Sequence, residues 1–194
     1  MQLIMAPWYH GAIFSLDGIL SEKKMISERI KTMKVKYLTQ AAIIAALYVV
    51  FTLVANALGL ASGTIQVRIS EALTILPFFT NAAVPGLFVG CILSNIMCGG
   101  VIWDIIFGSV ATLLGALGTY AIRKKLPDWC AAIPPILANT IIVPFVLAYA
   151  YEVPDSIPFL MLTVGAGEVI SCGILGILLL KLLKPHRNVI FSES

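Results

Sequence analysis

The chain has 194 residues, 59% of them hydrophobic and 12% charged, with a formal net charge of +3 and a mean hydropathy of +0.97. A soluble domain is about 45–50% apolar and about 25% charged, so this chain has too little polar surface to cover a globule in water. A cytosolic enzyme, a nucleic-acid reader and a secreted disulfide scaffold are excluded, and an integral membrane protein remains.

Residues 1–32 differ from the rest. The first 20 are mildly apolar, interrupted by Pro7, Gly11, Asp17 and Gly18, and lack the basic start and cleavage site of a signal peptide. Residues 21–36 (SEKKMISERIKTMKVK) are charged and suit a short amphipathic surface helix. Met25 and Met33 are candidate translation starts, so this extension is given no function. Residues 33–187 are read as the membrane domain and 188–194 as a short tail.

Apolar runs follow at 37–58, 69–100, 102–122, 131–151 and 157–183. Crossing a hydrocarbon core of roughly 30 Å takes about 20 helical residues. Twelve of the 13 Lys and Arg fall in three groups, at 23–36, 123–125 and 181–187, and the positive-inside rule places all three on the cytoplasmic side. That parity requires 69–100 to enter and return, as two helices joined by a tight turn at 80–86. The expected fold is an all-α bundle of six transmembrane helices, with both termini cytoplasmic and a short second helix.

Polar residues inside such runs are the functional candidates, because a carboxylate at mid-bilayer costs about 2.5–3.5 kcal/mol. Glu168 sits mid-way in the last run, beside Gly165 and Cys172. Arg68, the only cation expected outside, stands near Gln66, Ser70 and Glu71; Ser70 capping the second helix and Arg68 pairing with Glu71 is the ordinary account. Asn95, Trp103 and Asp104 form a third group, with membrane anchoring for the Trp and dipole stabilisation for the Asp as the ordinary account. Glu152 and Asp155 read as a solvated loop. The topology brings the three groups to the outer side, where a pocket of carboxylates, Arg, Asn and Trp suits a small flat heterocycle.

Ala41, Ala42, Ala45 and Ala46 give the first span two interleaved small-residue pairs, a surface for another membrane subunit. Cys91, Cys98, Cys130 and Cys172 form no C-x-x-C pair, and His10 and His186 are the only histidines, so neither a metal nor a cofactor is expected. A nucleic-acid partner is not expected either, since the basic residues flank apolar runs. The chain also lacks a phosphate-binding loop for ATP. A small binder without an engine implies a partner that has one.

The runs 66–79 (QVRISEALTILPFF), 85–95 (PGLFVGCILSN) and 103–109 (WDIIFGS) resemble the QueT-type queuosine-precursor transporters, which are substrate-binding S components of energy-coupling factor (ECF) importers. The resemblance spans about 33–185. It implies a multi-pass protein of the bacterial cytoplasmic membrane, not an enzyme, that captures a 7-deazaguanine (cyano, aminomethyl or queuine base) from outside. It also implies assembly with a transmembrane coupling subunit and two ATP-binding cassette ATPases. The small-residue face of the first helix meets the coupling subunit in such proteins, and Ala41 and Ala45, with Ala42 and Ala46 beside them, match that pattern. The substrate's N1–H and 2-amino edge suits Glu71 or Asp104, its O6 suits Arg68 or Asn95, and its ring suits Trp103. Glu168 closes the pocket from below or meets a cationic aminomethyl group. The alternatives are an S component for another heterocycle or vitamin, and an independent channel.

Overall fold

In lipid, a chain with no water to satisfy its backbone must bond to itself, and the apolar runs do so as helices. The computed structural model describes residues 7–60 and 65–191, with side chains from residue 21 onward. The first six residues of the extension, the last three of the tail and Thr64 of the loop before Arg68 lie outside the described residues.

The elements are α1 (Pro7–Ala57), a 3₁₀ helix (Ile69–Phe78), α2 (Ala83–Met97), α3 (Ile102–Ile122) and α4 (Ile133–Tyr149), the last preceded by a 3₁₀ turn (Asp128–Ala132). Then come α5 (Ile157–Glu168), a π-helical segment (Val169–Gly176), α6 (Ile177–Leu183), a 3₁₀ turn (Lys184–His186) and α7 (Arg187–Ile190). Four helical stretches, Ser21–Ala57, Ile102–Ile122, Asp128–Tyr149 and Ile157–Ile190, are long and apolar enough to cross a bilayer, while Ile69–Phe78 and Ala83–Met97 are shorter. The expected all-α membrane protein is what is found.

The chain divides into two units, 1–37 and 38–194. In the first, side chains 21–36 are all exposed. The second holds the core, in which Tyr48, Ile75, Leu87 and Leu180 are fully buried. At its centre lies the 3₁₀ helix, with every residue from Ser70 to Pro77 buried. Pro77 has no N–H to give the carbonyl four residues back and its ring crowds that group, which favours the tighter coil.

Small residues set the helix contacts. A Cβ added at Gly86 would lie 2.7 Å from the Ala41 carbonyl oxygen, and one at Gly90 would lie 3.0 Å from that of Ala45. On α3, Gly115 and Gly118 meet Pro135 and Pro134 in the same way, at 2.7 and 2.5 Å. Two expectations are corrected here. The turn between the short segments ends at Asn81–Ala82, so Pro85 and Gly86 belong to the first turn of α2. And Ala41 and Ala45 face α2 within the chain, leaving only Ala42 and Ala46 exposed. Successive helical residues point about 100° apart, so both pairs could not share one face.

A prediction follows from this contact. Ala45→Leu drives a branched side chain into the Gly90 backbone and should destabilise the protein by about 1–3 kcal/mol, whereas Ala46→Leu should leave stability within about 0.5 kcal/mol. Thermal unfolding in detergent separates them; equal losses would mean Ala45 is not the packed member.

Candidate functional site

A cavity of about 340 Å³ lies among α1, the loop before the 3₁₀ helix, the α2–α3 turn and the residues after α4. Pockets of this size hold small heterocycles. Its polar walls are Thr52, Asn56, Gln66, Arg68, Asn95, Asp104 and Tyr151.

Backbone contacts hold each wall in place. The Gln66 loop runs over the last span at Gly167, where an added Cβ would lie 2.1 Å from the Gln66 carbonyl oxygen. Two residues on, the Arg68 N–H donates to Ser171 Oγ at 3.1 Å. On the far wall, Gly99 follows the end of α2, and its φ of +75° turns the chain so that Gly100 N–H bonds to the Asn95 carbonyl oxygen at 2.8 Å. Gly108 leaves room for both Asp104 and Asn95, whose Oδ1 and Nδ2 would sit 3.1 and 3.2 Å from a Cβ there. Tyr151 Oη donates to Asp104 Oδ2 at 2.9 Å and accepts from Val101 N–H at 3.4 Å, tying the residues after α4 to the start of α3.

Two groups of opposite charge, Arg68 and Asp104, face this space without a direct bond between them. Among the described residues the Arg68 guanidinium makes no hydrogen bond or ion pair, and Asp104 Oδ1 receives no hydrogen bond. A half-buried guanidinium offers five donors in a plane, matched by carbonyl or ring-nitrogen acceptors. Burial, followed by the nearby Asp104 charge, pushes the Tyr151 phenol above its ordinary 10.0. A group whose pKa is raised on folding holds its contribution below the ordinary value and loses it above the folded one. The Tyr151–Asp104 clasp should therefore be unchanged across neutral and mildly alkaline pH and open only beyond about pH 10. Tyr151→Phe should remove the clasp at every pH without unfolding the protein, read as faster amide exchange at residues 100–104; unchanged exchange would deny the tie.

A second cluster is fully buried away from this cavity. Tyr48 Oη donates to Glu71 Oε1, and Asn139 Nδ2 reaches Glu71 Oε2 at 3.4 Å. Glu168 Oε2 accepts from Cys172 Sγ at 3.1 Å, and ligand atoms of Glu71, Glu168 and Cys172 lie within 4.8 Å of one another. The π-helical segment starts at Val169 and shifts the following residues relative to Glu168, as such bulges often do beside functional groups. Two carboxyl groups so close in a dry site call for positive charge between them, as a proton or a cation. Of the described residues, these three are the ones that could hold a metal ion.

Of the residues expected at the site, Arg68, Asn95 and Asp104 line one cavity, while Glu71 and Glu168 meet in the buried cluster. Trp103 lies apart from both. It is 55% exposed, stacked on Phe107 at 6.0 Å, and lines an apolar groove with α4 residues such as Phe145 and Tyr149. Ser70 caps nothing; the helix begins before it, and it accepts from Thr52 Oγ1 at 2.8 Å. Arg68 and Glu71 make no ion pair, because Arg68 precedes the helix in extended conformation. Glu152 and Asp155 are exposed, as expected of a solvated loop. Tyr151 and Asn139 join these groups without standing among the residues expected from the sequence. Asn139 carried the same signal as Glu168, a polar residue within an apolar run; Tyr151 carried none beyond that of an interfacial aromatic.

Compared with known proteins, the pattern described as QueT transporter matches residues 38–185, most of the chain. The chain belongs to the QueT transporter family. A relative, the Queuosine precursor transporter QueT of Lactococcus lactis subsp. cremoris (strain MG1363), is 36% identical over 74 residues, 38% of this chain and 43% of the relative. The chain thus spans less than half the length of that curated relative. No solved structure matches it significantly. The QueT match covers the cavity walls, the buried carboxyl cluster and all four stretches of small-residue packing described above, and it begins one residue after Tyr37, where the first unit ends.

Proposed function

We propose that this chain is the substrate-binding S component of an ECF-type importer in the bacterial cytoplasmic membrane, and that it captures a 7-deazaguanine precursor of queuosine from outside. The observation that carries the reading is the pairing of an unmatched Arg68 guanidinium and a free Asp104 oxygen across one small cavity. A guanine-like edge has the complementary order, an acceptor at O6 and donors at N1–H and the 2-amino group. Arg68, with Asn95 beside Asp104, takes O6; Asp104 takes the donors. Tyr151 replaces Trp103 as the aromatic wall. Glu71 and Glu168 lie outside the cavity and act from the buried cluster, as positioning groups and as the nearest negative charge for a cationic aminomethyl substituent.

The six-span topology with both termini cytoplasmic belongs to the same proposal. It rests on the three groups of basic residues, and it sets the α2–α3 turn and the residues after α4 on the outer side, where the cavity is. Delivery inward requires a transmembrane coupling subunit and two ATP-binding cassette ATPases, since the chain has no phosphate-binding loop. For docking to the coupling subunit the exposed Ala42 and Ala46 are the available small residues. Ala42→Leu with Ala46→Leu should abolish copurification of the coupling subunit while substrate binding persists.

Calorimetry on the purified chain alone, with the cyano, aminomethyl and queuine bases, tests the central claim. Saturable binding of one of them without any ATPase is the expected result. Binding of riboflavin or thiamine in their place would keep the S-component role and change the cargo, and absence of binding by a folded protein would overturn the assignment.

A further inference from the structure

Away from the polar cavity, with which it shares no lining residue, four cations from two segments of the chain converge on one space. Arg123 and Lys124 follow α3, and Lys184 and Arg187 follow α6; all line a cavity of about 520 Å³. Asp128, the one acidic group on its wall, forms an ion pair with Lys184. Three aromatic rings complete the wall: Phe78 meets Phe79 edge-on with centroids 5.5 Å apart, and Phe79 stacks on Phe191 at 5.1 Å with planes 2° apart. Arg123 is held in place, with its guanidinium 3.7 Å above the Tyr120 ring and Nη1 donating to the Pro77 carbonyl oxygen at 3.4 Å.

The positive-inside rule accounts for basic residues at these helix ends, but it is a rule about number and does not gather them round one cavity. Like charges brought together repel, and the wall sets one carboxylate, Asp128, against four cations, so the space favours a further anion. Both spans that end here are apolar, and beside the cations they expose Leu126 and Leu182. An occupant whose charge sits in the cavity therefore has acyl-chain contacts next to it. We propose that this cavity holds the phosphate of an anionic phospholipid headgroup at the inner face of the membrane. Arg123 grips the phosphate in a fixed orientation, Lys124 and Arg187 neutralise it, and the aromatic wall contacts the glycerol and upper acyl chain. Basic pockets between transmembrane helices are suited to such headgroups. This site is separate from the substrate cavity and holds whichever base the chain carries.

The full-length protein in mixed micelles with equal mole fractions of phosphatidylglycerol and phosphatidylcholine, read by native mass spectrometry, should retain phosphatidylglycerol preferentially. Lys124→Gln with Arg187→Gln should reduce that preference about thirtyfold, from two lost cation contacts. Lys34→Gln with Lys36→Gln, an equal loss of charge elsewhere, should leave it intact. Should the cavity variant fail to fold, the wild type alone decides: phosphatidylglycerol should raise its Tm more than phosphatidylcholine does, and inorganic phosphate at millimolar concentration should not reproduce the rise. Equal retention of the two lipids, a preference that survives the double substitution, or a Tm rise given by inorganic phosphate without lipid preference would each overturn the proposal.

Discussion

Gly167→Ala should weaken substrate binding about a hundredfold in a protein that still inserts and still shows full helix content. The added methyl carbon would sit 2.1 Å from the Gln66 carbonyl oxygen, with the Gln66 carbonyl carbon at 3.1 Å. Both are backbone, so no side-chain rotation relieves the clash and the loop must lift. The loop carries Arg68, whose N–H bond to Ser171 and place on the cavity wall depend on that closeness. A displaced guanidinium loses a charge-assisted bond to the substrate, about a hundredfold in Kd. Overpacking at this site should cost stability too, about 1–3 kcal/mol, so calorimetry and thermal unfolding are read together. Gly165→Ala is the comparison: the atoms nearest its Cβ belong to the Thr140 side chain, at 3.3 Å, and not to backbone. Equal effects of the two substitutions would show that the Gln66 contact is not what places the loop.

How much of this was legible in the sequence depends on which geometric rule was needed. Length and hydropathy suffice for the apolar helices, and a carboxyl group inside an apolar run is visible as an anomaly whatever its partners. Helix rotation separates residues that adjacency in sequence groups together. Trp103 and Asp104 are neighbours on one helix, so when Asp104 turns to the cavity, Trp103 points about 100° away. Likewise Ala41 and Ala45 pack on α2, which leaves Ala42 and Ala46 outside. Backbone form decides another pairing. The expected Arg68–Glu71 pair supposes an α-helix through both, but the helix begins after Arg68 and is 3₁₀. The convergence of Glu71 with Glu168, 97 positions apart in number, is a tertiary fact that no local spacing announces.

Arg68 is where the proposed site has its largest single effect. Arg68→Leu should weaken 7-deazaguanine binding about a hundredfold or more, since it removes the charge-assisted bonds to the base. Arg68→Lys should fall between, because an ammonium keeps the charge but loses the planar fork of donors. The same two variants carry a second readout. Asp104 lines the cavity with this cation, and among the described residues no other Lys or Arg lines it. Removing the charge leaves the Asp104 carboxylate on that wall without it, which is costly where water is scarce. Arg68→Leu should therefore also lower the stability of the unliganded protein, and Asp104→Asn placed in the same chain should restore part of that loss without restoring binding. A double-mutant cycle on stability measures the coupling. If Asp104→Asn restores nothing, the two groups are not coupled across the cavity. If Arg68→Leu binds the base as tightly as the wild type, the guanidinium does not contact it, and recognition of O6 passes to Asn95.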